Sequence, residues 1–194
     1  MVKLLLSSLR ISLLFMLVCG LGYNLAVTGI AQVVFPEQAE GSLIQDEEGT
    51  VIGSKLIGQL FTEPEFFQSR VSSIDYQADG SGSPNFAPSH PELLGRVGAS
   101  VEDWKKNNPE VAVSDLPVDL ITNSASGLDP DISPAAARAQ IPRISRLTGI
   151  EQLQLERLVQ DQTSQRTFGF LGEPTVNVLG LNIELQRLLM EETQ

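Results

Sequence analysis

Apolar and polar positions divide the chain into one long uncharged stretch and a remainder where apolar residues come in short, separated groups. From Ile11 through Pro36 no charged residue occurs (ISLLFMLVCGLGYNLAVTGIAQVVFP). At ~1.5 Å per residue this run would extend about 39 Å as a helix, more than the ~30 Å of a bilayer's hydrocarbon core. The pattern predicts a short N-terminal segment (1–10), one transmembrane helix (11–34) and a single domain over 35–194. Tyr23, Asn24, Thr28 and Gln32 make the second half less apolar and draw the lipid-embedded part towards residues 8–30.

Within the remainder, Leu43-Ile44 and Thr50-Val51-Ile52 flank an acidic turn from Asp46 to Gly49, the pattern of a hairpin. The apolar pattern continues from Lys55 to Phe61, and Phe66-Phe67 add bulk after Pro64. Residues Ala78 to Pro91 (ADGSGSPNFAPSHP) are a loop, because Gly and Pro there defeat both regular patterns. A helix is expected from Pro91 to Lys106, capped by Ser89 or His90, with Pro109 beyond its exit. Val118 to Thr122 reads as a buried strand, and Asn123 to Pro134 (NSASGLDPDISP) as a loop of turn residues.

Ser133 before Pro134 is a strong helix start, with Pro142 a kink point and Gly149 a natural stop. A further helix over Glu151 to Gln162 turns Leu153, Leu155, Leu158 and Val159 inward. Thr175 to Leu179 looks extended. Leu181 to Glu191 closes the chain as an amphipathic helix with Leu181, Leu185, Leu188 and Leu189 inward. The fold class expected is α+β: one N-terminal transmembrane helix, then a single mixed α/β extracytoplasmic domain with more helix than sheet.

Charge sets the orientation. Lys3 and Arg10 precede the apolar run, while Glu37, Glu40, Asp46, Glu47 and Glu48 follow it, which leaves the N-terminus in the cytoplasm and the domain outside. Against 13 Lys and Arg stand 24 Asp and Glu, a net charge of −11, so nucleic acid is excluded as a partner. A second reading makes Gly29-Ile30-Ala31 the end of a cleavable signal peptide and the product a free periplasmic ligand-binding protein or hydrolase. The apolar run, longer than the roughly 7–15 residues of such signals, counts against it. Val18 is too large for the position before a lipidated Cys19. Asn24 and Gln32 read either as hydrogen-bonding contacts for another membrane helix or as residues at the outer interface.

Candidate chemistry is sparse. A single cysteine, Cys19, rules out an intramolecular disulfide, and with one histidine a zinc site would lean on carboxylates. The string Gly49-Thr-Val-Ile-Gly53-Ser54-Lys55 lacks phosphate-loop spacing and reads as a turn. A hydrolase would need His90 with Ser81 or Ser83, yet no G-x-S-x-G elbow is present and a helix-capping histidine is the simpler reading. Asp129 and Asp131 flank Pro130 and read either as a cation or shared-proton pair or as turn residues. Trp104 is either an interface anchor or half-buried surface.

Residues 116–147 (LPVDLITNSASGLDPDISPAAARAQIPRISRL) and 171–185 (LGEPTVNVLGLNIEL) resemble the C subunit of the bacterial high-affinity potassium-transporting P-type ATPase, the KdpC family. GSKLIGQLF at 53–61, Phe67 with Arg70 and Ser72, and the loop before Pro88 extend the likeness over nearly the whole chain. The chain departs from the family at Asp131, where His is usual, and at Arg70-Val71-Ser72-Ser73, where R-P-S-A is common. The resemblance implies a non-catalytic subunit that supports a channel-like potassium-binding subunit and a P-type ATPase subunit. It also implies a rise in the catalytic subunit's ATP affinity, with ATP binding ascribed to the family. On that basis Ser124, Ser126, Gly127, Asp129, Asp131, Ser133 and Gln140 are the residues expected to dock a partner or meet a nucleotide. The N–H groups at the Ser133 helix start would serve an anion.

Overall fold

A computed structural model describes residues 1–46 and 48–192, so Glu47, one of the acidic residues after the apolar run, lies outside the described residues. The chain divides into two units, Met1–Ser54 and Lys55–Gln194.

The first unit is a helical run over Val2–Val34, 33 residues, with none of its most apolar window buried. Its helices α1 (Val2–Phe15) and α2 (Tyr23–Val34) are joined by a wider π-helical segment, Met16–Gly22. The helix therefore already begins within residues 1–10, and at ~1.5 Å per residue it reaches about 50 Å. Asn24 Nδ2 donates to the Gly20 carbonyl at 2.6 Å, so the amide serves the irregular turn of its own helix. Pro36 opens a short helix α3 (Pro36–Ala39). The expected hairpin follows, β1 (Leu43–Gln45) antiparallel to β2 (Val51–Ser54). Asp46 holds its turn by accepting the Glu48 and Thr50 N–H groups at 3.0 and 2.8 Å.

The described residues of the second unit form four α-helices and a small antiparallel sheet. Helix α4 (Pro91–Asn107) starts as expected, with His90 Nδ1 accepting the Glu92 N–H. Helix α5 (Pro134–Thr148) begins on the Ser133 hydroxyl, which accepts the Ala136 N–H at 3.0 Å, and stops at Gly149 with φ +84°. Helix α6 (Gln152–Asp161) carries a Glu151–Gln154 capping box, and α7 (Val178–Glu192) closes the described chain. The sheet order is β3 (Asp131–Ile132), β5 (Thr175–Asn177), β4 (Thr163–Ser164), with Ile132 and Thr163 both opposite Val176. Ala136, Ile141 and Ile144 of α5 meet Leu155 and Val159 of α6, Leu181 and Leu185 of α7, and Phe67 in one core.

Three expectations change. Val118 to Thr122 is not a strand but a 3₁₀ turn, Val118–Leu120, because Pro117 withholds a ladder donor and Thr122 Oγ1 turns back to the Val118 carbonyl at 2.8 Å. Leu153 is 54% exposed: it lies about 200° around α6 from the buried Leu155, whereas Val159 repeats Leu155 after four residues. The extended stretch ends at Asn177, because the Asn177 Oδ1 accepts the Gly180 N–H at 3.0 Å and starts α7 at Val178.

Candidate functional site

The residues singled out in the sequence form a braced loop and its margins. Ser124, almost fully buried, accepts the Gly127 and Asp129 N–H groups on its hydroxyl at 3.1 and 3.3 Å. Ser126 accepts the Leu128 N–H at 3.1 Å, and Asp129 Oδ1 accepts the Asp131 N–H at 3.1 Å. Serine and aspartate at these offsets satisfy the backbone of a turn locally, which is why this composition folds as a loop. Gly127 sits at φ +73°, and a Cβ there would lie 2.6 Å from Ile74 Cγ1, so both conformation and space require glycine.

The loop is pinned to residues 70–76. Arg70 Nη1 donates to Asp129 Oδ2 at 2.9 Å and Arg70 Nη2 to the Asn123 carbonyl at 3.2 Å. Ser72 Oγ donates to the Gly127 carbonyl at 2.7 Å and accepts the Ile74 and Tyr76 N–H groups. Tyr76 donates its hydroxyl to the Arg70 carbonyl. Burial is the main force pushing the Tyr76 phenol above its ordinary range; the Ser69 hydrogen bond opposes it. Asp131 lies on β3 and takes the Asn177 amide at 3.2 Å, away from the Arg70 pairing. The two aspartates thus have separate partners. Among the described residues no three His, Cys, Asp or Glu side chains gather closely enough to hold a metal ion.

Gln140 belongs to a different construction. Completely buried on the core face of α5, it accepts the Gln68 N–H at 2.8 Å and donates to the Gln68 carbonyl at 3.1 Å. Asn182 of α7 does the same for Phe67, accepting its N–H at 2.8 Å and donating to its carbonyl at 2.9 Å. Arg143 Nη2 adds the Phe66 carbonyl at 2.7 Å and Gln140 Oε1 at 2.9 Å. Burial above all, then the nearby Arg146 charge, lowers the Arg143 guanidinium to about 10. Two carboxamides and a guanidinium thereby hold a segment, residues 66–68, that pairs with no strand among the described residues.

Gln68, Arg143, Asn182 and Tyr76 escaped the sequence reading. A signal existed for one of them: Arg143 falls in step with Ala136, Ile141 and Ile144, as Gln140 does, on a face of α5 that is otherwise apolar. The hydrolase candidates are engaged elsewhere. His90 stacks on Phe86 with ring centroids 4.2 Å apart, and Ser81 Oγ donates to the Ser126 carbonyl. Trp104 is 7% exposed, buried rather than on the surface. Gln32 is exposed on α2.

A family model described as KdpC: K+-transporting ATPase, c chain, matches residues 5–187. The chain belongs to this family. Curated potassium-transporting ATPase KdpC subunits from two Bacillus cereus strains are 56% and 57% identical to it over 181 residues. That alignment covers 93% of this chain and 94% of each relative. The Bacillus mycoides KdpC subunit is 55% identical over the same shares. KdpC membership bears out the resemblance read from the serine-rich loop and the C-terminal stretch, and it gives no support to a free periplasmic binder or hydrolase.

Proposed function

We propose that the chain is the non-catalytic accessory subunit of an ATP-driven potassium uptake complex in a bacterial plasma membrane. The observation that carries this reading is the KdpC match from residue 5 to residue 187, which spans the apolar helix and the domain alike. Lys3 and Arg10 before the apolar run and Glu37 and Glu40 after it support a cytoplasmic N-terminus and an extracytoplasmic domain. Its partners are a channel-like potassium-binding subunit and the P-type ATPase subunit that hydrolyses ATP. Asn24 and Gln32 are the helix positions suited to contact a partner's membrane helix.

The outer edge of the Asn123–Pro134 loop and the start of α5 are the docking face in this reading. The hydroxyls of Ser124 and Ser126 and the N–H groups of Gly127 and Asp129 serve one another, and the Ser133 hydroxyl caps α5. That engagement favours an effect on ATP affinity passed through subunit contacts over a nucleotide held by this chain. Arg70 neutralises Asp129, so enrichment of potassium near an entry would draw on Asp131 and the overall acidity.

Detergent pull-down of the full chain, followed by potassium-stimulated ATPase assay with and without it, tests the reading. Co-purification with a P-type ATPase whose activity falls without the chain is expected. A mature N-terminus at Gln32, seen by intact mass, would overturn the anchored subunit.

A further inference from the structure

Among the described residues of the second unit, the most exposed large apolar side chains lie on the turn between β4 and β5: Phe168 at 84% and Phe170 at 71%. Leu171 beside them is half exposed. The turn is closed, not slack. Thr167 N–H donates to the Leu171 carbonyl at 2.9 Å, and Leu171 N–H to the Thr167 carbonyl at 3.0 Å. Gly169 N–H reaches the Arg166 carbonyl at 2.9 Å and Phe170 N–H the Thr167 carbonyl at 3.3 Å. At its base Arg166 pairs with Glu173 across the two arms at 2.5 Å. Phe168 holds φ +55°, a left-handed conformation that a bulky side chain ordinarily avoids. Its ring, almost fully exposed, finds no packing inside the chain that would offset this strain.

Two features select a lipid bilayer as what covers the tip. The N–H groups of Thr167, Gly169, Phe170 and Leu171 are all bonded inside the turn, as an apolar solvent requires; a protein socket could supply partners of its own. In a chain with 24 Asp and Glu, residues 162–172 contain none, and the Arg166 and Glu173 charges at the base cancel. We propose that this tip dips into the membrane surface, its phenyl rings at the boundary of headgroups and acyl chains. The role rests on the anchored reading above. There the helix over Val2–Val34 holds the domain near a bilayer through residues 35–54, so three apolar side chains suffice where a free protein would need a second anchor.

Phe170→Trp in the full chain, reconstituted into phosphatidylcholine vesicles, tests the insertion. Trp104 is the only native tryptophan and is buried, so the parent chain supplies its background. The added emission should be quenched more by lipid brominated near the top of the acyl chains than by lipid brominated near their ends, matching an interfacial depth of about 5–10 Å. Aqueous iodide should leave it largely unquenched. Raising KCl from ~10 to ~150 mM should change neither result, because no net charge is engaged. Phe168→Trp should behave alike, and adding Phe168→Ser to the Phe170→Trp chain should reduce lipid quenching and restore access to iodide. Added emission that iodide quenches and brominated lipid does not, in a chain that stays in the vesicles, would overturn the insertion alone. Shielding that arises only once the chain is assembled with its ATPase partners would also overturn it and give the tip to a protein. Release of the chain from the vesicles by alkaline carbonate would overturn the anchored reading, and the insertion with it.

Discussion

Replacing Gln140 with leucine separates a structural role for this residue from a nucleotide-binding one. The side chain is completely buried and makes two bonds to Gln68, one to the Ala136 carbonyl and one from Arg143. Leucine has nearly the right size, so little cavity forms, but the Gln68 N–H and carbonyl lose their partners and Arg143 loses one of its two acceptors. Each orphaned buried polar group costs about 1–3 kcal/mol. Because Gln68 is only half-buried, its two groups fall at the low end, and with the charge-assisted bond the loss is roughly 3–5 kcal/mol, a large part of the ~5–15 kcal/mol that holds a domain folded. For a unit of this size about 2–4 °C accompanies each kcal/mol, so Tm should fall roughly 6–20 °C. Thermal unfolding of the full chain in detergent by near-UV circular dichroism measures the loss, and the ATPase assay of the assembled complex gives KM for ATP. Asn182→Leu should cost a similar amount. The double variant should lose less than the sum, because either substitution already frees the segment that both residues hold. An unchanged Tm with a raised KM for ATP would refute the reasoning and return Gln140 to the nucleotide.

Gly127→Ala and Gly149→Ala both force a left-handed backbone on alanine (φ +73° and +84°), but only the first places a Cβ against Ile74. Gly149→Ala should cost about 1–2 kcal/mol and Gly127→Ala about 1–3 kcal/mol more, measured as the difference in urea midpoints at equal m. Asp129→Asn keeps an acceptor for the Asp131 N–H but removes the charge facing Arg70; with side chains 24% and 32% exposed, the cost should be about 1–2 kcal/mol. The Tyr76 phenol is raised in the folded state, so its contribution is present below about pH 10 and lost as pH climbs through the folded value. The parent should therefore lose stability above about pH 10 more steeply than Tyr76→Phe. The lowered Arg143 acts with the opposite sign in that window, because the unfolded chain holds the proton longer. The measurement is thus the difference between the two pH profiles, and identical slopes would discount the phenol.

What was legible in the sequence follows from how locally each feature is determined. The starts of α4 and α5, the stop at Gly149 and the hairpin turn depend on a residue and its neighbours within four positions, and all stood in the sequence. The serine-rich loop was legible as a loop for the same reason: Ser124 and Ser126 bond two to five residues ahead. Val118 to Thr122 misled because a short apolar run reads alike as strand or turn, and Pro117 and the Thr122 hydroxyl decide between them. The grouping of Arg70 with Asp129, 59 residues apart, was not legible from spacing. Nor was Asn182 with Phe67, 115 residues apart.

These long-range pairings explain why the core of the second unit contains buried amides and a buried guanidinium. Residues 66–68 cross the core as irregular chain, and Phe67 can be wholly buried only if the backbone beside it is also taken out of water. A neighbouring strand would normally satisfy those groups. Here each strand of the small sheet is two or three residues long and pairs elsewhere. Helices expose no backbone donors along their flanks, so α5 and α7 supply side-chain amides instead, each carrying the donor and acceptor of a peptide unit. Gln140 and Asn182 therefore substitute for the missing strand. The same segment continues directly into Arg70 and Ser72, which brace the serine-rich loop. The position of that loop thus depends on two buried carboxamides that lie outside it. A substitution at either should disturb the proposed docking face through Arg70 while leaving every residue of that face unchanged.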